Sequence, residues 1–213
     1  MRKLLLSCVF TISCGLAHAG AYEDILFAAT NDDTATVTNL LQRGMDANTA
    51  DRSGTTLLMI ASRNGNLTLM KALLANRANV NRRNQHGDTA LLMAALKPEV
   101  EAARLLLENG ADLNPSGWAP LHYAMLSGGK DMAALLIAKG AKVDVPAPNG
   151  QTALMLAVKF GNFDLVQLLT KAGANKDLKD PDGLTAIGLA RKLDHSDIVK
   201  YLQKAGADGR SNH

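Results

Sequence analysis

The chain has 213 residues, 47% of them hydrophobic and 20% charged, which is enough length and apolar content for a packed core. Its 23 basic and 20 acidic residues leave a formal charge of +3, too even a balance to point to nucleic acid as a partner. Only two cysteines occur, Cys8 and Cys14, so the chain beyond them has no Cys nucleophile, no Cys-ligated zinc and no iron–sulfur site.

Residues 1–19 differ from everything after them. Arg2 and Lys3 precede an apolar run from Leu4 to Leu16, and Ala17-His18-Ala19 has the small-x-small pattern of a signal-peptidase site. The run is too short to span a bilayer. It is expected to be a cleaved export signal, leaving a mature chain that begins near Gly20, carries no thiol and has a formal charge of +1 once Arg2 and Lys3 are gone. The expected compartment is the bacterial periplasm or the exterior, with no stable membrane insertion after cleavage. Lipid anchoring at Cys14 stays open, although Thr11 stands where such sites usually have Leu.

From there on the chain keeps a beat. Gly54, Gly87, Gly117, Gly150 and Gly183 follow one another at 33 residues, except for one step of 30 between Gly87 and Gly117. Ala28, Ala61, Ala94, Ala124, Ala157 and Ala190 keep the same rhythm, which makes six units. Within the unit from Asn149 to Lys176, Thr152 can cap a helix whose Leu154, Ala157 and Val158 share one face; Gly161 and Asn162 break it. A second helix follows with Leu165, Leu168 and Leu169 inward, and Gly173 closes it. Helices of about 8 to 10 residues are unstable alone in water, so each pair must bury its apolar side against the neighbouring copy.

The signature recurs as Ala119-Pro120-Leu121-His122-Tyr123-Ala124, as Thr152-Ala153-Leu154-Met155-Leu156-Ala157, as Thr89-Ala90-Leu91-Leu92-Met93-Ala94 and as Thr56-Leu57-Leu58-Met59-Ile60-Ala61. A closing G-A-x-x-N/D element appears at Gly110-Ala111-Asp112-Leu113-Asn114 and at Gly140-Ala141-Lys142-Val143-Asp144. With its period of 33, the chain resembles the ankyrin repeat from about Ala21 to Asp208. The resemblance implies an all-α solenoid of about six helix-turn-helix repeats (about 21–50, 51–83, 84–114, 115–146, 147–179 and 180–208) with short hairpin or turn fingers and a flexible tail at 209–213. It also implies a non-catalytic module that binds another protein through its concave face and finger tips, without cofactor or metal.

Taken in order, the first repeat carries Glu23, Asp24, Asp32 and Asp33, which suit a helix start and a polar terminal cap better than a metal site. In the second, Arg52 and Arg63 match the family's finger tip and first-helix end, where they can steer an acidic partner. In the third, Pro98 replaces the mid-repeat glycine and is expected in the first turn of the following helix; His86 sits at a finger tip. The missing three residues fall at Asn114-Pro115-Ser116-Gly117, which predicts a shorter finger. Trp118 stands beside that notch, and Leu126 ends the first helix of the same repeat. Lys159 and Phe160 hold the matching region one repeat on. Trp118 either serves as an interface anchor or folds back to seal the core. His122 is expected to bond turn backbone, and no second group is spaced to make it catalytic. In the sixth repeat, Gly188 weakens its helix unless a backbone packs closely there.

Arg52, Arg63, His86, Trp118, Leu126, Lys159 and Phe160 are therefore the candidate partner-binding residues. Two roles fit an exported chain of this kind, assistance to a periplasmic enzyme and neutralisation of a toxin as an immunity protein; a hydrolase or metal enzyme is the outlying alternative.

Overall fold

The structure, a computed structural model, describes residues 20–207. The leader at 1–19 and the tail at 209–213 lie outside them. Among the described residues there are twelve α-helices, and the only β feature is an isolated antiparallel bridge between Ala50 and Thr56. The helices fall into two compact units divided between Ala90 and Leu91. The first holds α1 (20–30), α2 (Thr34–Gln42), α3 (Leu57–Asn64) and α4 (Leu67–Ala75). The second holds α5 (Ala90–Leu96), α6 (Val100–Glu108), α7 (Pro120–Ser127), α8 (Lys130–Ala138), α9 (Ala153–Lys159), α10 (Phe163–Lys171), α11 (Ala186–Lys192) and α12 (Ser196–Ala207).

Local chemistry fixes where each helix starts. The Thr56, Thr152 and Thr185 hydroxyls accept the N–H of Met59, Met155 and Gly188 at 3.2, 3.4 and 3.2 Å, which satisfies donors the helix cannot pair itself. Asn66 and Asn162 do the same for α4 and α10 at 3.0 and 3.1 Å, and Asp33 for α2 at 3.0 Å. Between the two helices of every pair except α5–α6 the chain turns through a left-handed residue, Asp32 and Asp194 in the terminal pairs. Gly65, Gly128 and Gly161 supply it with φ of 69°, 70° and 63°. Pro98 cannot adopt that φ. It does not stand in the first turn of α6 as expected, but one residue before the helix's N-cap, Glu99.

Burial then holds the pairs together. Leu57, Leu69 and Leu73 in the first unit, and Leu154, Leu165 and Leu169 in the second, are sealed from solvent, as is the small-residue column at Ala61, Ala94, Ala124, Ala157 and Ala190. Small side chains in that column let adjacent helices approach closely.

Side chains also bolt one repeat to the next. Asn48 accepts the N–H of Asn79 through its Oδ1 at 2.7 Å; in the second unit Asn114 accepts from Lys142 and Asp144 from Asn175, both at 2.8 Å.

The connections α2–α3, α4–α5, α8–α9 and α10–α11 each have 14 residues, whereas α6–α7 has 11. The shortened finger expected from the glycine spacing is thus present, and the helices around it keep their lengths. Elsewhere the finger turn has a fixed bonding pattern. The N–H of Asp51, Ala147 and Asp180 donates to the carbonyl four residues on, and Gly54, Gly150 and Gly183 donate back to those same residues.

Gly188 has no backbone packed against it. An added Cβ would meet only Thr185 Oγ1 at 3.5 Å and Leu184 side-chain atoms from 3.6 Å, ordinary contacts. The close packing that would favour a glycine is absent, so Gly188→Ala should stabilise the protein by about 1 kcal/mol. Thermal unfolding should show a Tm raised by about 2–4 °C.

Candidate protein-docking surface

In the first unit Arg52 lies at the exposed tip of the second repeat's finger, and His86 is exposed on the next one. These fingers are tied together: Gln85 donates its backbone N–H to the Ser53 carbonyl at 2.9 Å and its side-chain amide to the Arg52 carbonyl at 3.0 Å. Each turn is rigid for its own reason. Asp51 Oδ1 accepts from the Ser53 N–H, the Ser53 hydroxyl and the Thr55 N–H at 2.9, 2.7 and 2.8 Å. Burial pushes the Asp51 carboxyl up, but the bonds from Ser53 and Thr55 outweigh it and hold the group below the usual carboxylate range. Asn84 Oδ1 accepts from the His86 and Asp88 N–H groups at 2.9 and 2.8 Å. Arg63 is half-buried in the last turn of α3 and does not share the finger position.

In the second unit the notch beside the short finger is filled from within. Trp118 is half-buried, its ring edge-on to His122 with centroids 5.8 Å apart and to Tyr123 at 6.0 Å. His122 is buried. Its Nδ1 accepts the Ala119 N–H at 3.0 Å and its Nε2–H donates to the Val145 carbonyl at 2.9 Å. Ala119 lacks the hydroxyl that Thr56, Thr152 and Thr185 bring to their helices, and the imidazole accepts the Ala119 N–H itself while reaching across to the next finger. Both bonds need the neutral ring, and burial holds its pKa below the ordinary histidine value against the raising effect of the Val145 bond. Met59 and Met155 hold the equivalent place, where their sulfur accepts the Thr56 and Thr152 N–H groups at 3.4 and 3.5 Å.

Leu126, Lys159 and Phe160 stand apart from this aromatic group, at the far ends of α7 and α9. All three are exposed. They belong to a row that sequence reasoning only half found. Leu96 ends α5 at 41% exposure, Leu126 lies at 38%, Phe160 at 53%, and Leu193, the C-cap of α11, at 38%. The same two positions are Thr30-Asn31 and Arg63-Asn64 in the first unit, with no large apolar side chain. Writing the six units in register down that pair of columns would have brought out Leu96 and Leu193. Read alone, Leu96 follows Leu92 at i+4 and counts as core.

The helix ends that carry the row are in direct contact. The Ser127 hydroxyl donates to the Ala95 carbonyl at 3.1 Å, a Cβ on Gly128 would lie 3.6 Å from Asn162 Nδ2, and one on Gly161 would lie 3.0 Å from His195 Cε1. Lys97, Lys159 and Lys192 are exposed beside the apolar members. Among the described residues no three His, Cys, Asp or Glu side chains gather in a way that could hold a metal ion, and no helix is long and apolar enough to cross a membrane.

A family model for ankyrin repeats, in three overlapping copies, matches residues 25–116, 58–147 and 121–213. No curated protein matches the chain.

Proposed function

Because the chain belongs to the ankyrin-repeat family, whose repeats serve as protein–protein interaction modules, we propose that it is a non-catalytic docking protein acting outside the cytoplasm, where it assists or protects an enzyme of the periplasm. The observation that carries the docking half of this reading is the apolar row at the first-helix ends. Soluble monomers rarely keep large apolar side chains aligned on their surface without covering them by a partner. The export half rests on the Arg2-Lys3, Leu4–Leu16 and Ala17-His18-Ala19 pattern. In the first unit Arg52 and His86 stand on the fingers; in the second Trp118 lies beside the short finger, and Leu126, Lys159 and Phe160 supply contact area at the first-helix ends.

The test is crosslinking in intact cells with a photoreactive residue placed at position 126 or 160. A single stoichiometric protein partner is expected, recovered from the periplasmic fraction with a mature chain that begins at Gly20. Phe160→Ser should weaken its capture about tenfold or more, the effect of losing an aromatic anchor. A uniform scatter of crosslinks, or an uncleaved chain in the cytosol, would refute the docking and the export reading respectively. Loss of an enzyme's activity in cells lacking the chain supports assistance, whereas sensitivity to a toxin would turn the assignment to immunity.

A further inference from the structure

Resting on the docking reading, we propose that the second unit receives an acidic amphipathic α-helix, laid across the ends of α5, α7, α9 and α11 with one apolar side chain seated at each. Three observations carry this. The first is the row itself: Leu96, Leu126, Phe160 and Leu193 occur once per repeat, at one of two adjacent positions, in four successive repeats.

The second is charge. In three of these repeats the neighbouring position is lysine: Lys97 beside Leu96, Lys159 beside Phe160 and Lys192 beside Leu193. Among the described residues none of the three has a carboxylate within ion-pair distance, whereas Lys130 in the remaining repeat is engaged by Asp164 at 3.4 Å. A partner that covers the leucines with neutral side chains would strand these cations at a drying interface; one carrying Asp or Glu beside its apolar anchors satisfies them.

The third is pitch. Packed helices lie about 8–10 Å apart, so the row offers an apolar seat at about that interval. A helix rises 1.5 Å per residue and returns to nearly the same face after seven residues, about 10.5 Å on. Anchors at i, i+7, i+14 and i+21 therefore meet all four seats from one face. An extended segment covers the interval in about three residues, which turns successive anchors to opposite faces. An anionic membrane would also meet the lysines. A membrane surface, however, offers no anchors at a fixed pitch, whereas the regular spacing of the four seats suits one face of a helix.

The experiment uses the full mature chain and synthetic peptides of about 22 residues, long enough for four anchors separated by three such steps. One carries Leu at the heptad spacing with Glu beside each. A second has the same composition scrambled, and a third has Lys in place of Glu. Calorimetric titration is expected to show binding of the first at least about tenfold tighter than either control, weakening as salt is raised. Leu96→Ser, Leu193→Ser and Lys192→Glu should each weaken it severalfold with unchanged circular dichroism and Tm. Equal affinity for the acidic and basic peptides, or none for any, would overturn the assignment. So would co-sedimentation with phosphatidylserine vesicles or a Phe160-dependent dimer in ultracentrifugation. A cellular partner that crosslinks at position 160 while the acidic peptide fails overturns the partner chemistry and leaves docking intact; peptide binding without any cellular partner does the converse.

Discussion

A His122→Leu variant is expected to lose about 2–5 kcal/mol of folding stability at neutral pH, because it strands a buried N–H at about 1–3 kcal/mol and a part-buried carbonyl at somewhat less. The groups are the Ala119 N–H and the Val145 carbonyl, which the ring joins at 3.0 and 2.9 Å. His122→Met should lose less, since a sulfur in this place accepts the helix-start N–H in two other repeats. The wild type carries a pH signature that both variants should lack. Its folded-state pKa lies below the ordinary histidine value because burial disfavours the cation. The unfolded chain then binds the proton more readily, so the stabilisation is complete above about pH 6.5 and declines as pH falls toward the folded pKa, by at most about 1.4 kcal/mol per unit. Urea unfolding at pH 7.5 and 5, taken as wild type minus variant, isolates this term. An unchanged difference between the two pH values would show that the ring is not held neutral.

Gly150→Ala is the second large effect. Gly150 has φ of 76°, and a Cβ there would lie 2.5 Å from both Cγ and Cδ of Pro181 in the next finger. A left-handed alanine costs about 1–2 kcal/mol, and forcing a rigid ring aside adds about 1–3. Gly183 provides the control inside the same molecule: it holds the same turn position with φ of 77° and has nothing within 4 Å of a built Cβ. Gly183→Ala should therefore cost only the backbone part. Adding Pro181→Ala should return Gly150→Ala to that smaller loss, a coupling that a double-mutant cycle in urea measures directly. Equal losses at the two glycines would mean that successive fingers do not touch.

The helix pairs were readable because their determinants are local. Thr56, Thr152 and Thr185 start helices and Gly65, Gly128 and Gly161 end them by backbone chemistry that needs no distant partner. The trimmed finger followed from the glycine intervals for the same reason. Sequence was weaker wherever the answer depended on a neighbour. Whether a backbone packs against Gly188 could not be read from its own repeat; what surrounds it is its own turn, Leu184 and Thr185. Pro98 was placed one element too late, because its fixed φ suits both a first helical turn and the turn before it. The exposed apolar row was half missed: whether a leucine at a helix end is covered depends on how far the adjoining helix extends, and Leu96 has the spacing of a core residue while standing in solvent. Trp118 had two readings, and whether a half-buried ring edge-on to His122 and Tyr123 also anchors a partner depends on a molecule outside this sequence.

The bolts between repeats carry a consequence for how such a molecule can change over generations. Asn114 reaches the Lys142 amide over a separation of 28 residues at 2.8 Å, while Asn48 and Asp144 reach theirs over 31 residues at 2.7 and 2.8 Å. The same grip forms whether the intervening loop is full length or trimmed by three. Insertions and deletions in these loops are therefore invisible to the joints that set the spacing of the modules, and a lineage can remodel its projecting edge while the load-carrying joints stay as they were.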